Sequence, residues 1–292
     1  MEHRSLSGRL FEAVNLFLLG LIALITILPF VNVVAVSFAT PEEYLKSTFM
    51  LFPTKFSLEA YKFIFSTSTV SRSLIVTVGI TLVGTMVSMV FTSCMAYGLA
   101  RRDLGGRRVL MFLVVFTILF NGGMIPSFMI VKQLGLINSY GALIIPSAVS
   151  AFNLIIMRNF FMGLPDGLEE SAKIDGCNDI GILFRIVLPL SKAVLASVGL
   201  FYAVGYWNTF MQAVLFIDDY DKWPIQVLLR QIVIMAAGLS TNTEAMSPDY
   251  VPPPEQTIKM AVIVVATVPV LLVYPFLQKH FAKGALLGSI KG

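Results

Sequence analysis

EESAKIDGCNDIGILFRIVLP, Glu169 to Pro189, places six ionisable side chains in 21 residues. The stretches on either side, Gln133–Met157 and Ala193–Ile217, hold none. Farther out the same contrast recurs. Ala13–Pro41, Ser73–Ala100, Val109–Val131 and Met260–Gln278 are also free of ionisable residues. Each of the six windows can cover the roughly 20 residues that a bilayer-crossing helix needs. Only 13% of the 292 residues are charged and 57% are hydrophobic, where a soluble domain carries about 25% charged residues. Mean hydropathy is +0.82. Lipid offers the backbone no hydrogen bonds, so helices are the economical way across. The expectation is an all-α integral membrane protein, one domain over 1–292, with six transmembrane helices. The polar segment 164–189 then hangs between the fourth and fifth.

An even number of crossings puts both termini on one side. With the termini inside, 13 of the 21 Lys and Arg face the cytoplasm. The tight cluster RRDLGGRR, Arg101 to Arg108, is among them, in a loop too short to be translocated against that bias. The basic N-terminus followed by a long apolar run reads as an uncleaved first span rather than a cleaved leader. Outside lie a moderate loop from Thr40 to Arg72, a short turn near Lys132 and the longest loop, Asp218 to Lys259. Within the last, the apolar Gln231–Leu239 is too short to span and is expected to form a surface helix. Pro252 to Pro254 cannot continue a helix and set an extended approach to the last span. A net charge of +4 fits a cytoplasmic basic bias, not nucleic-acid binding.

Absences narrow the function. There is no G-x-x-x-x-G-K-[ST] loop to cradle phosphates. The only histidines, His3 and His280, are at opposite ends of the chain, so no Ser-His-Asp, Cys-His or metal constellation assembles. The two cysteines, Cys94 and Cys177, have no redox or metal spacing. The spans also lack the Asp, Glu, His or Arg with which ion-coupled carriers relay charge. Uphill transport by this chain would need energy from outside it, which directs attention to the polar segment.

There, Asp166 followed by Glu169 fits a capping box, and Gly176 supplies a left-handed stop. A short helix over Gly167 to Asp175 follows. Leu168, Ser171, Ala172 and Asp175 fall near one face with Ile174 beside them. Ser171 and Ala172 are small enough for another protein to approach the backbone, and Glu170 offers a charge to a basic partner. Asn178 or Asp179 can cap a second helix through Ile180–Leu188, anchored by Phe184, Ile186 and Leu188, before Pro189 interrupts the path to the fifth span. The pair reads as a docking elbow or as an ordinary amphipathic connector.

The segment resembles the EAA loop of binding-protein-dependent ABC importer permeases, E-A-A-x3-G-x9-I-x-L-P. Glu170, Ser171, Ala172, Gly176, Ile186, Leu188 and Pro189 fall in register, and Ser171 is the one departure. Six spans with this loop between the fourth and fifth are similar to the maltose-type sugar permeases, in particular the smaller, MalG-like subunit. FNGGMIPSFMIVKQLGLINS (Phe120–Ser139), YWNTFMQAVLFI (Tyr206–Ile217) and KGALLGSIKG (Lys283–Gly292) resemble an LplC- and YtcP-type subgroup and the small permease of alginate importers. The resemblance implies a type I ABC importer fold and a second permease around a shared pathway. It also implies two ATPase subunits that bind ATP and Mg2+, and an extracytoplasmic solute-binding protein. This chain would hold no cofactor. Glu169, Glu170, Ser171, Ala172, Ile174, Asp175, Gly176, Ile186, Leu188 and Pro189 would form the ATPase-coupling site, with Glu170 against a basic ATPase residue. Two peripheral contacts are implied as well, Gln231–Glu244 with the binding protein and Gly284–Gly292 with the ATPase.

Sugar sites set aromatic faces and amides against sugar faces and hydroxyls. Tyr206, Trp207, Asn208, Phe210 and Gln212 offer both in the fifth span. Asn208 and Gln212, four apart, would share a helical face. Helix packing is the competing reading. Asn121, Gly122, Gly123 and Pro126 are expected to bend the third span, and Asn121 can line a pathway there. Spans without fixed charge suit a neutral sugar; an acidic one would draw its countercharge from the partner permease. The same machine for another solute, a stand-alone carrier or channel, and a membrane enzyme are the other readings.

Overall fold

The computed structural model describes residues 6–46, 49–66, 68–235 and 255–289. The described residues are helical, and the β-pairing among them is an isolated bridge between Ala39 and Phe56. They group into two compact units, Met1–Val70 with Leu229–Val268, and Ser71–Leu228 with Pro269–Gly292.

In the first unit, α1 (Leu6–Ser37) is apolar on every side. Its most apolar window has mean hydropathy 2.6 and no buried residue, as suits a helix whose solvent is lipid. Its end packs Ala35, Val36 and Ala39 with Met50, Tyr44 and Met260. Phe38 stacks between Phe56 and Tyr61, each at 4.9 Å, and the Ser37 hydroxyl meets that of Tyr61 at 2.8 Å. α2 (Pro41–Lys46) and α3 (Glu59–Ser66) flank a loop pinned by Glu43. Its carboxylate accepts from Thr54 N (2.6 Å), Thr54 Oγ1 (2.8 Å) and Lys55 N (3.1 Å). The Thr54 backbone bond, more than any other cause, holds the Glu43 carboxyl below the usual glutamate range. A depressed carboxyl stabilises the fold at pH above its unfolded value, and that contribution is lost as pH falls through the folded one. Protection of the Thr54 and Lys55 amides against hydrogen exchange, corrected for the intrinsic rate, is therefore expected to hold at neutral pH. It should decline only below the usual glutamate value of about 4.3; the same protection in Glu43→Gln at pH 7 would contradict the pinning role.

The second unit holds α4 (Ser68–Ala100) beyond its first turn, α5 (Arg107–Leu119), α6 (Met124–Gln133), α7 (Gly141–Ile144) and α8 (Ala151–Met162). The elbow and α12 (Lys192–Trp207), α13 (Met211–Phe216) and the first four residues of α14 (Ile225–Met235) follow. Its core includes Leu143, Leu154, Met157, Ile182, Val198, Tyr202 and Tyr206. Two tyrosine hydroxyls inside are paired across helices, as apolar surroundings favour. Tyr202 Oη lies 2.7 Å from Thr92 Oγ1 and Tyr206 Oη 2.8 Å from Ser88 Oγ. α15 (Glu255–Ser289) runs from one unit into the other.

The six uncharged windows are not six straight helices. Among the described residues, three helices are long and apolar enough to cross alone, within Leu10–Ser37, Ser68–Ala100 and Gln256–Val273, and up to five if each bent pair counts as one span. The third window is α5 and α6, bent by 118° at residues 120–123. This is the expected break: Gly123 has φ +88°, and Asn121 Oδ1 accepts from its N–H at 2.9 Å. The fourth window divides at Pro146 into α7 and the 12-residue α8. In the fifth, α12 stops at Trp207, and the C-cap Asn208 donates to Val204 O both from its N–H (3.1 Å) and from its Nδ2 (2.9 Å). The surface helix expected over 231–239 begins earlier, as α14. Pro252 to Pro254, residues 236–244 of the Gln231–Glu244 segment and residues 290–292 of the Gly284–Gly292 tail lie outside the described residues.

Candidate functional site

The polar segment folds as an elbow. α9 (Asp166–Ile174) starts at Pro165 with no side-chain cap. The capping box does not form: Asp166 is already the first helical residue, and Glu169 reaches sideways to Arg101. The stop is as expected. Gly176 has φ +81°, its N–H donates to Lys173 O at 3.0 Å, and that of Cys177 donates to Ala172 O at 2.9 Å. These two bonds close a Schellman motif. Asn178 then caps α10 (Asp179–Ile182), its Oδ1 accepting from Gly181 N at 2.7 Å.

Residues Leu183–Val187 form one π-turn before α11 (Leu188–Leu190). Pro189 has no N–H, and its ring would collide with the Arg185 carbonyl in a regular helix; the wider turn relieves both. The extra residue rotates the anchoring face. Ile182, Leu183 and Val187 are fully buried, Ile186 and Leu188 partly so, and Phe184, an expected anchor, is 53% exposed. The chain bends by 88° into α12. On α9, Ala172 is buried in the chain's own core, so the surface open to a partner is Leu168, Glu170, Ser171 and Ile174, the last 86% exposed. Asp175 and Gly176 are exposed beyond it.

Arg101, just after α4, ties this elbow to the bundle. Its Nε and Nη2 bond Asp103 in a two-pronged fork at 3.0 and 2.9 Å. Its Nη1 donates to Asp179 Oδ1 at 2.8 Å and to Tyr97 Oη at 3.0 Å, and lies 3.4 Å from Glu169 Oε2. One guanidinium thus holds both helices of the elbow. The Asp103 bond is the chief cause raising the Arg101 pKa further above its usual value, and Arg101 holds the Asp103 carboxyl down to about 2. Both therefore stay charged at any cellular pH. A cleft of about 300 Å3 beside the clamp is lined by Arg102, Leu168, Glu170, Lys173 and Ile186 among others. The cluster RRDLGGRR served the sequence reading only as a marker of sidedness. Its internal Asp103 was the one local hint that Arg101 is fixed in place.

Of the expected pathway residues, Tyr206, Asn208 and Gln212 line one cleft of about 360 Å3, with Ser147, Ser150, Asn153, Phe201, Tyr202 and Thr209. Asn208 and Gln212 reach it from either side of the helix break, not from one helical face. Trp207 lines a separate apolar cleft of about 750 Å3 with α4 and α15. Phe210 packs against the core, and Asn121 stays exposed at the α5–α6 bend. Asn153 went unremarked in the sequence, although a carboxamide within LIIM-type apolar text is the signal that marks such sites.

Long apolar helices joined by a charge-clamped elbow are the plan of a multi-helix membrane protein. The chain belongs to the binding-protein-dependent transport system inner membrane component family, whose model matches residues 5–286. It is 62% identical over 98% of its length to the whole of the polygalacturonan/rhamnogalacturonan transport system permease protein YtcP of Bacillus subtilis. It is 54% identical to protein LplC of the same organism, over 99% of this chain and 98% of that one. Among solved structures, it matches a chain of a bacterial ABC transporter involved in import of the acidic polysaccharide alginate. The TM-score is 0.90 at 33% identity, covering 96% of this chain and 100% of that one.

Proposed function

We propose that this chain is a permease subunit of an ATP-driven importer and forms half of the pathway for a carbohydrate. The observation that carries the reading is the elbow: its outward stripe of Leu168, Glu170, Ser171 and Ile174 is open, while Arg101 fixes its inner side to the bundle. Such a part transmits a push from a soluble subunit to α4 and α12. The polysaccharide importers named among its relatives support the substrate class.

The energy then comes from two ATPase subunits that hold ATP and Mg2+, docked on the elbow; this chain carries no cofactor. A second permease completes the pathway, and a solute-binding protein delivers the sugar from outside. The chain crosses the bacterial cytoplasmic membrane six times, through α1, α4, the bent α5–α6 pair, α7 with α8, α12 and α15. Both termini and the elbow face the cytoplasm on the strength of the Lys and Arg bias.

The composition of the gently solubilised native complex tests this directly. One copy of this chain, one of a second permease and two ATPase subunits is the expected result. A lone chain that still transports without ATP would sink the reading. Glu170→Lys reverses the charge offered to the ATPase. The mutant complex is expected to lose most binding-protein-stimulated ATP hydrolysis; full stimulation would remove Glu170 from the dock.

A further inference from the structure

We infer that the cleft bordered by α8, α12 and α13 is a sugar-binding site that reads hydroxyl groups through the Asn153 and Gln212 carboxamides and does not read carboxylates. This deepens the carbohydrate reading and rests on it. Asn153 is only 5% exposed. Its backbone N–H meets Ser150 Oγ at 3.5 Å, but its carboxamide has no hydrogen-bond partner among the described residues, and it borders the cleft. Its polar side-chain atoms are not sealed from solvent: they open into the cleft, where water can be exchanged for a ligand hydroxyl. A carboxamide left open toward a cleft is therefore a group kept for something that enters it.

The other walls fit the same visitor. Gln212 is exposed there and, like Ser147, makes no side-chain hydrogen bond among the described residues. Tyr202 Oη is engaged by Thr92 and the Ser150 N–H, and Tyr206 Oη by Ser88 and Ile144 O. Those two hydroxyls are therefore spent and both residues are buried; the exposed aromatic residue lining the cleft is Phe201, 38% exposed. Asn208 is held by Val204 O and Gln226. A carboxamide both donates and accepts, as a hydroxyl on a sugar requires, and flat rings suit its C–H faces. No Asp, Glu, Lys, Arg or His is among the described residues lining the cleft. A carboxylate passing through would find no cation and none of the fork geometry that recognises it. The cleft volume is at the low end of small-molecule pockets, about 300–1,000 Å3.

The test uses the native transporter in its host membrane. The probes are labelled oligogalacturonides and the same oligosaccharides with their carboxyl groups reduced to alcohols. Asn153→Ala and Gln212→Ala are each expected to slow uptake of both probes about equally, by roughly five- to tenfold, with the amount of complex in the membrane as the folding control. Asn153→Asp should slow the acidic probe more than the reduced one, because it buries a negative charge with no cation nearby. Wild-type uptake in both alanine variants would overturn the site. So would a loss confined to the acidic probe, which would mean that charge is read here. If deleting this chain leaves uptake of both probes unchanged, the carbohydrate reading falls for this sugar, and the site falls with it.

Discussion

Replacing Arg101 by alanine is expected to cut binding-protein-stimulated ATP hydrolysis by the assembled complex at least tenfold while leaving the chain folded in the membrane. The magnitudes separate the two effects. The elbow partners of Arg101 are accessible, with Asp179 64% and Glu169 34% exposed, so each pair alone is of the solvent-screened kind. Such pairs contribute about 0.2–1 kcal/mol each. The guanidinium itself is only 13% exposed and holds Glu169 and Asp179 in fixed geometry, so the two elbow pairs together reach the upper end of that range, about 2 kcal/mol. Against the stability of the whole bundle that is modest. Against the local equilibrium between a docked and a loose elbow it is a factor of roughly 30. Force applied at α9 would then move a loose elbow instead of α4.

Lysine at position 101 keeps the charge but not the fork, so Arg101→Lys should recover part of the activity and not all of it. The thermal midpoint of the purified complex should move little in either variant. Full stimulated hydrolysis in Arg101→Ala would reduce the clamp to packing. An equal fall in thermal stability and hydrolysis would make it a folding residue and not a coupling one.

How much of this was legible in the sequence depends on the range over which each interaction acts. The Gly176 stop, the Asn178 cap and the break at Asn121–Gly123 are local backbone events, written in neighbouring residues, and the structure has all three. The polar island itself was visible because ionisable groups avoid lipid. That ruler measures what is free of charge, not what is a continuous helix. It therefore passed over Pro146 and the Asn208 break, which divide two windows that looked whole. The π-turn before Pro189 adds one residue to the register and exchanges Phe184 for Ile182, Leu183 and Val187 in the core, a shift that 3.6-residue counting cannot anticipate. Arg101 and Asn153 were missed for a different reason. Arg101 meets Asp179 across 78 positions in sequence, and Asn153 acquires meaning only when α12 is folded beside it.

The helix approach that builds the cleft wall can be tested at Gly84. This residue is buried on α4, and a Cβ there would lie 2.8 Å from the ring of Tyr206 on α12. The ring has nowhere easy to go. It is 4% exposed, and its hydroxyl is held by Ser88, one turn along the same face as Gly84, and by Ile144 O. Gly84→Val must therefore push the two helices apart or tilt the ring off Ser88. Overpacking costs about 1–3 kcal/mol and the lost buried hydrogen bond about 1 kcal/mol more. Even Gly84→Ala, which gains about 1 kcal/mol of helix propensity, does not offset that sum. For a unit of this size the valine variant should melt roughly 5–10 °C lower. If the cleft binds sugar as proposed, it should also lose uptake, because Tyr206 borders that cleft beside Asn153 and Gln212. Tyr206→Phe separates the two costs: it keeps the ring and loses only the hydroxyl bonds, so its midpoint should fall much less than that of Gly84→Val. If the two variants melt alike, the hydrogen bond and not the close helix approach holds the wall in place.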